Sequence, residues 1–151
     1  MPRILLLFAH PALEKSRVHR HLLDRLPALR ERLPGLTVHD LYEAYPDFDV
    51  DVAHEQALLA AHDLLVVQHP FYWYGTPPLV KQWEDLVLEH GWAYGSTGTA
   101  LQSKRWLHVV TAGGATGAYG PDAFNRFTVR QFLAPHEQTA RLCRMTFLPP
   151  W

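Results

Sequence analysis

Three short stretches of this sequence carry side chains or backbone suited to binding a ligand, and each follows a predicted strand. The first is Ala9–His10–Pro11 together with Ser16–Arg17–Val18–His19. The second is Pro70–Phe71–Tyr72–Trp73–Tyr74, and the third is Thr111–Ala112–Gly113–Gly114. Because the carboxyl ends of parallel strands meet at one edge of a sheet, we expect the three stretches to come together there.

The first stretch has the composition of an anion site. Ser16 can donate a hydroxyl, Arg17 adds positive charge, and backbone N–H groups are free at the start of a helix. The patterns G-x-G-x-x-G and G-x-x-x-x-G-K-[ST] are both absent, so no ordinary dinucleotide or nucleoside-triphosphate site is predicted. Taken alone, the stretch is better explained by Ser16 as an ordinary helix cap, because capping serines are common.

The second stretch is the stronger indication of a ligand site. Phe71, Trp73 and Tyr74 could all be core residues of a buried turn. Consecutive side chains point in different directions, however, so three aromatic residues in a row cannot all face one core. At least one is expected to line a cleft, where a flat ring suits a flat, conjugated ligand.

The third stretch has little side-chain bulk, so its backbone N–H groups can approach a ligand closely. By itself a Gly-Gly pair indicates only a turn. Tyr119 follows a few residues later in the chain, far enough for its ring to return to the cleft beside this stretch. The alternative is that Tyr119 lies on the surface.

Other chemistries lack their sequence signatures. The chain has ten histidines but no H-x-x-x-H or H-E-x-x-H spacing, and its one cysteine allows no Cys/His cluster, so no metal site is predicted. No Ser-His-Asp arrangement or G-x-S-x-G pattern is visible. A bound cofactor is therefore expected to carry any chemistry. Four histidines are expected to face solvent: His54, His62, His90 and His136.

Composition sets further bounds. The chain has 151 residues, which fits one domain over residues 1–151, and a net charge of −1, which implies no general attraction to nucleic acid. No apolar run reaches membrane-spanning length, and the run after Met1 is too short for a signal peptide. Cys143 allows no internal disulfide and is expected to be buried, consistent with a cytoplasmic protein.

Hydrophobic periodicity predicts the elements that position these stretches. Strands are predicted at Ile4–Phe8, Leu36–Leu41, Leu64–Gln68 and Trp106–Thr111, the second of them at an edge. Helices are predicted after Ser16 with a kink or break at Pro27, over Val52–His62, from Pro77–Pro78 onward, and over most of Phe124–Arg144 with an interruption at Pro135. Loops are predicted at Tyr42–Asp49 and Gly113–Gly120. This alternation predicts a doubly wound parallel sheet in three α-β-α layers.

The segment Phe147–Leu148–Pro149–Pro150–Trp151 stands where a last parallel strand and helix are expected. The alternatives are a four-stranded fold, a truncated chain, or a tail missing from the sequence.

Several motifs together resemble one family. His10–Pro11, Pro70–x–x–Trp73–Tyr74–Gly75–x–Pro77 and Thr111–Ala112–Gly113–Gly114 resemble the flavodoxin-like NAD(P)H:quinone oxidoreductases, which include DT-diaphorase. Four further segments are similar to one bacterial branch, the ancillary subunits of Kef-type glutathione-gated potassium efflux systems. They are Leu41–Tyr42–x–x–Tyr45–Pro46–Asp47–Phe48, His90–Gly91–Trp92–Ala93–Tyr94–Gly95, Glu137–Gln138–Thr139–Ala140–x–Leu142–Cys143 and Leu148–Pro149–Pro150. The resemblance covers essentially the whole chain.

The resemblance implies a flavin, FMN by preference and FAD as the alternative, with NAD(P)H as co-substrate. Ser16, Arg17, Val18 and His19 would hold its phosphate with His10 nearby, although the family usually has Asn in place of His19. Pro70, Phe71, Tyr72, Trp73 and Tyr74 would line the isoalloxazine ring, and Thr111, Ala112, Gly113 and Gly114 would meet its pyrimidine edge. Tyr119 matches an active-site tyrosine whose partner histidine is replaced here by Asn125.

The resemblance also implies a homodimer, in which Trp92 and Tyr94 form a substrate wall for the neighbouring subunit. It implies a further strand and helix after Leu148, so the fold is expected to be C-terminally incomplete. Two functions remain open: two-electron transfer to quinones or related electrophiles, and regulation of a potassium efflux antiporter at the inner face of the membrane. A one-electron carrier is a third, less favoured alternative, because this chain is not acidic and lacks a Ser/Thr-rich phosphate loop.

Overall fold

The computed structural model describes residues 2–151 and contains a five-stranded sheet whose strands are all parallel. The strands are β1 (Ile4–Phe8), β2 (Leu36–Asp40), β3 (Leu64–Pro70), β4 (Arg105–Thr111) and β5 (Thr146–Phe147). Their spatial order is β2-β1-β3-β4-β5, which places β2 at an edge as predicted. The three strands that lead to the predicted ligand-binding stretches, β1, β3 and β4, are therefore direct neighbours.

Seven short α-helices lie within residues 2–151: α1 (Arg17–Asp24), α2 (Leu26–Arg32), α3 (Leu41–Ala44), α4 (Val52–Ala61), α5 (Pro78–Val87), α6 (Val129–Phe132) and α7 (Ala134–Leu142). Within residues 2–151, none of them has the length and apolar character needed to cross a bilayer.

The core lies mainly on one face of the sheet. Leu7, Val67 and His108 stand side by side on β1, β3 and β4, and each is fully buried. Trp83 of α5 packs into the same core. On the opposite face, the ring of Phe8 contacts His19 of α1 at a centroid distance of 5.4 Å. Helices thus pack on both faces, which confirms the doubly wound α-β-α arrangement.

Capping residues explain where the helices differ from the prediction. The first helix breaks at Arg25, and Pro27 lies in the first turn of α2, which confirms the predicted break. A short helix, α3, occupies part of the predicted loop because the Asp40 carboxylate accepts hydrogen bonds from two backbone N–H groups in its first turn. The last helical region begins only after Thr128, which forms a capping box with Gln131.

The expectation that the last strand is absent is wrong. Thr146 and Phe147 pair with Arg105 and Trp106 of β4. The chain then continues beside β4, where Trp151 N donates to His108 O at 2.9 Å and Val110 N donates to Trp151 O at 2.8 Å. Two residues without N–H groups, Pro149 and Pro150, interrupt the regular ladder, which explains why this segment is hard to identify as a strand from sequence.

Candidate functional site

The three predicted stretches meet at one edge of the sheet. Ala9 N donates to Gln68 O at 2.9 Å, and Phe71 N donates to Thr111 O at 2.7 Å, so backbone hydrogen bonds link the ends of β1, β3 and β4. A cleft of about 270 Å³ opens between the stretches. Its lining comes from all three: His10, Lys15, Ser16, Arg17, Val18, Pro70, Phe71, Tyr72, Thr111, Ala112 and Gly113.

One end of this cleft is built to hold an anion. Ser16 caps α1, and its hydroxyl oxygen accepts a hydrogen bond from His19 N at 3.2 Å. The N–H groups of the first helical turn point toward the cleft end of α1, where the helix dipole favours negative charge. Arg17 and Lys15 are exposed beside this turn. Sequence reasoning missed Lys15, although its position directly before the capping serine was a usable signal.

Two histidines lie at the anion end: His10 lines the cleft, whereas His19 is buried next to His10 and Ser16 and does not line it. His10 and His19 are both buried, and their rings meet edge to face at a centroid distance of 4.8 Å. Burial lowers the pKa of His10, and burial together with the nearby His10 lowers the pKa of His19 to about 4. Both rings are therefore neutral near pH 7, so the positive charge at this end comes from the exposed Arg17 and Lys15.

The aromatic stretch forms a tight turn with unusual backbone geometry. Gly75 N donates to Tyr72 O at 3.1 Å, which closes the turn over Trp73 and Tyr74. These two residues have φ of 48° and 66°, a left-handed conformation that costs roughly 1–2 kcal/mol per residue. Phe71 is buried, whereas Trp73 is 94% exposed. Trp73 therefore lies outside the core.

A second cleft, of about 340 Å³, continues from the aromatic turn. Tyr119 lines it with its ring 5.8 Å from that of Phe71, and a Cβ added at Gly114 would lie 3.4 Å from the Tyr119 hydroxyl. Tyr119 thus lies beside the aromatic turn and Gly114, in this second cleft and not among the residues that line the first. Phe124, which sequence reasoning missed, also lines it. Asn125 lines it too and accepts a hydrogen bond from the Tyr74 hydroxyl at 3.1 Å.

The two predicted substrate-wall residues lie elsewhere in this chain. Trp92 and Tyr94 pack against the core, and neither lines the two clefts described above. Tyr94 borders a separate groove that also contains Tyr74 and Cys143. Their assignment to a neighbouring subunit stays a prediction.

A row of buried histidines lies beneath the aromatic stretch. Because the Pro70 carbonyl can only accept a hydrogen bond, the His69 Nδ1 at 3.0 Å must carry a proton. Neutral His69 then accepts at Nε2, so His108 donates from Nδ1 over 2.9 Å. Burial lowers the pKa of His69 to about 4 and holds that of His108 well below its usual range, which keeps both rings neutral. The His69–His108 pair thus holds the Pro70 carbonyl in place, and the aromatic turn follows directly after Pro70.

Two of the four histidines that were expected to face solvent are buried in the structure. His54 and His90 are exposed as predicted. His136 is buried, and its Nδ1 donates a hydrogen bond to Glu84 Oε1 at 2.7 Å. His62 is buried at the end of α4, where its Nδ1 donates a hydrogen bond to Leu58 O at 2.6 Å. Both were misassigned because a histidine with a polar partner can be buried at little cost, and sequence spacing does not reveal that partner.

Comparison with known proteins identifies the family. A profile described as a flavodoxin-like fold matches residues 2–151. The chain belongs to this flavodoxin-like family. A curated relative from Cronobacter sakazakii, the glutathione-regulated potassium-efflux system ancillary protein KefG, is 49% identical over 148 residues, which cover 98% of this chain and 78% of the relative.

Two solved structures of flavodoxin-like relatives superpose closely. General stress protein 14 of Treponema denticola, solved in complex with FMN, has a TM-score of 0.92 and 43% identity, covering 99% of this chain and 84% of that one. A protein described as an NADPH-quinone reductase from P. pentosaceus has a TM-score of 0.85 and 32% identity, covering 98% and 82%.

The residues of this flavodoxin-like chain fit a flavin mononucleotide. The anion end offers a serine hydroxyl, two cationic side chains and helix N–H groups, which are the donors that a phosphate monoester needs. The aromatic turn offers ring faces for a planar group. A Cβ added at Gly113 would meet no atom within 4 Å, so the space beside this backbone is open to a ligand.

Proposed function

We propose that this chain binds FMN at the edge formed by its three stretches and transfers two electrons from NAD(P)H to a quinone or a related electrophile. One observation carries the proposal: an anion site, an aromatic turn and an open glycine backbone border one continuous edge of the sheet. FMN, when bound, supplies the ability to accept hydride from the nicotinamide and to pass two electrons to the acceptor.

Each stretch has its own role in this proposal. Ser16, Arg17, Val18 and His19 hold the phosphate, with His10 beneath it. The backbone and rings from Pro70 to Tyr74 orient the isoalloxazine. The backbone of Thr111, Ala112, Gly113 and Gly114 would meet its pyrimidine edge, where N–H groups that are not used in the sheet would stabilise developing negative charge.

Tyr119 is the proposed hydrogen-bond donor to the substrate. Its hydroxyl lies beside Gly114 and its ring lines the aromatic cleft, so it stands over the place where the acceptor would enter. A histidine partner for its proton is absent at the matching position, since Asn125 instead bonds Tyr74. Tyr119 therefore acts as a donor that positions the acceptor, not as one member of a proton relay.

A second function is favoured by the curated relatives. Their name places them as ancillary proteins of a glutathione-regulated potassium-efflux system, and the identity of 49% extends over nearly the whole chain. We propose that this chain also associates with the membrane antiporter of such a system, as a peripheral subunit at the inner membrane face. The two proposed functions do not exclude one another, so they can coexist.

The test begins with the purified protein and FMN. Reconstituted protein should oxidise NADPH only when a benzoquinone is present, and Tyr119→Phe should lower that rate without changing FMN occupancy. Pull-down of the antiporter by the same two proteins separates the second function, because Tyr119→Phe should leave it unchanged. Occupied protein that consumes no NADPH would refute the oxidoreductase proposal, and a stable one-electron flavin radical on titration would point to the electron-carrier alternative.

A further inference from the structure

A cluster of metal-binding side chains lies away from the three stretches. His39 is on the edge strand β2, while His54 and Glu55 are in the first turn of α4. One nitrogen or oxygen atom from each of the three lies within 4.8 Å of the other two. Sequence spacing could not reveal this cluster, because its ligands come from two elements that only the fold brings together.

Hydrogen bonds hold the Glu55 carboxylate in a fixed orientation, as they do for a carboxylate that binds a metal ion. Its side chain is fully buried, and its two oxygens accept from the Tyr45 hydroxyl at 2.6 Å and from Trp83 Nε1 at 2.8 Å. These donors fix the carboxylate from behind, as outer partners do around a metal-bound carboxylate. Its Oε1 also accepts a hydrogen bond from Nε2 of His39 at 2.7 Å, and a metal ion bound to both atoms would take the place of this proton.

The cluster is buried except on the side of His39 and His54, and an ion can enter there. The His39 side chain is 16% exposed, and His54 is exposed on the surface of α4. A tetrahedral zinc ion places its ligand atoms about 3.3 Å apart, so the widest separation must close by about 1.5 Å and the 2.7 Å contact between His39 and Glu55 must open by about 0.6 Å. Rotation of the exposed His54 side chain can supply that movement, because no hydrogen bond restrains its ring within residues 2–151.

We propose that His39, His54 and Glu55 form a binding site for a divalent transition-metal ion such as Zn²⁺. Two imidazole nitrogens and one carboxylate oxygen suit this class of ion, and water completes the shell. The ion ties the edge strand β2 to α4. Because β2 has a strand on only one side, this bond adds to the contacts by which His39 and Thr37 of β2 already bond Glu55 and His62 at α4.

The experiment titrates the untagged protein with Zn²⁺ by calorimetry and with Co²⁺ by visible absorption. Wild type should bind one ion per chain, and Co²⁺ should show the intense bands of a tetrahedral site. His54→Ala should weaken binding by at least about tenfold, and Tyr45→Phe, which removes only a supporting donor, by about tenfold. His21→Ala removes another exposed helical histidine and is the matched control that should leave the affinity unchanged.

Two results would overturn the proposal. One is the absence of stoichiometric Zn²⁺ binding by folded wild type. The other is binding that His54→Ala and His21→Ala weaken equally, since this would show only scattered surface histidines. His54 is exposed, so its replacement leaves the fold intact, and circular dichroism of each variant verifies that. No flavin takes part, so the outcome is independent of the proposed oxidoreductase function.

Discussion

Replacing His19 by Asn should make the protein less sensitive to acid. Burial lowers the pKa of His19 from 6.5 to about 4, so between these values the unfolded chain binds a proton that the folded chain does not. The stability from this group is complete above pH 6.5 and is lost as the pH falls toward 4. The linkage relation gives a loss of about 2 kcal/mol at pH 5 but only about 0.2 kcal/mol at pH 7.

The assay is urea unfolding of each protein at pH 7 and at pH 5 without cofactor. His19→Asn should reduce the drop in unfolding free energy between these two conditions by about 2 kcal/mol. A residual drop should remain, because the pKa of His69 is also lowered to about 4 by burial. His21→Asn, at an exposed position, should keep the full wild-type drop. An unchanged drop in His19→Asn would show that His19 is not held neutral by burial.

Three further predictions follow from the site. Arg17→Ala should raise the FMN dissociation constant by about tenfold, measured by flavin fluorescence, with an unchanged melting temperature, because the exposed guanidinium supports only the ligand; an equal affinity would remove Arg17 from the phosphate site. Trp73→Gly should stabilise the cofactor-free protein by about 0.5–1 kcal/mol, because glycine adopts positive φ without strain; a loss of stability would mean that the ring packs. Long-range ¹⁵N–¹H NMR should find the proton of both His69 and His108 on Nδ1, and a proton on Nε2 of His69 would contradict their hydrogen-bond chain.

The sequence predicted the architecture because its signals are local and mutually consistent. The apolar run Ile4–Phe8 and the cap at Ser16 each specify their element within a few residues. The Pro77–Pro78 pair marks a helix start for the same reason, and α5 begins at Pro78. Strand β5 escaped prediction because its two residues and the following prolines carry no periodic pattern, and its position depends on pairing with β4.

The sequence predicted which stretches form the candidate site. It did not predict the charge states or the hydrogen-bond partners of the histidines there. The convergence of the stretches at His10, Pro70 and Thr111 follows from strand order alone. The neutral state of His19 and the His69–His108 pair depend on burial and on partners distant in sequence, which spacing does not encode. The same limitation hid the contact between His136 and Glu84, residues 52 positions apart.

The central claim is most directly tested by titrating the purified protein with FMN and following quenching of flavin fluorescence. The account predicts saturable binding of one FMN per chain, together with weaker binding by Arg17→Ala. It also predicts that free riboflavin, which lacks the phosphate, binds more weakly than FMN, because the anion end at Ser16 and Arg17 then has no partner. Absence of FMN binding by folded protein, or equal affinity for riboflavin and FMN, would contradict the assignment of this edge as the cofactor site.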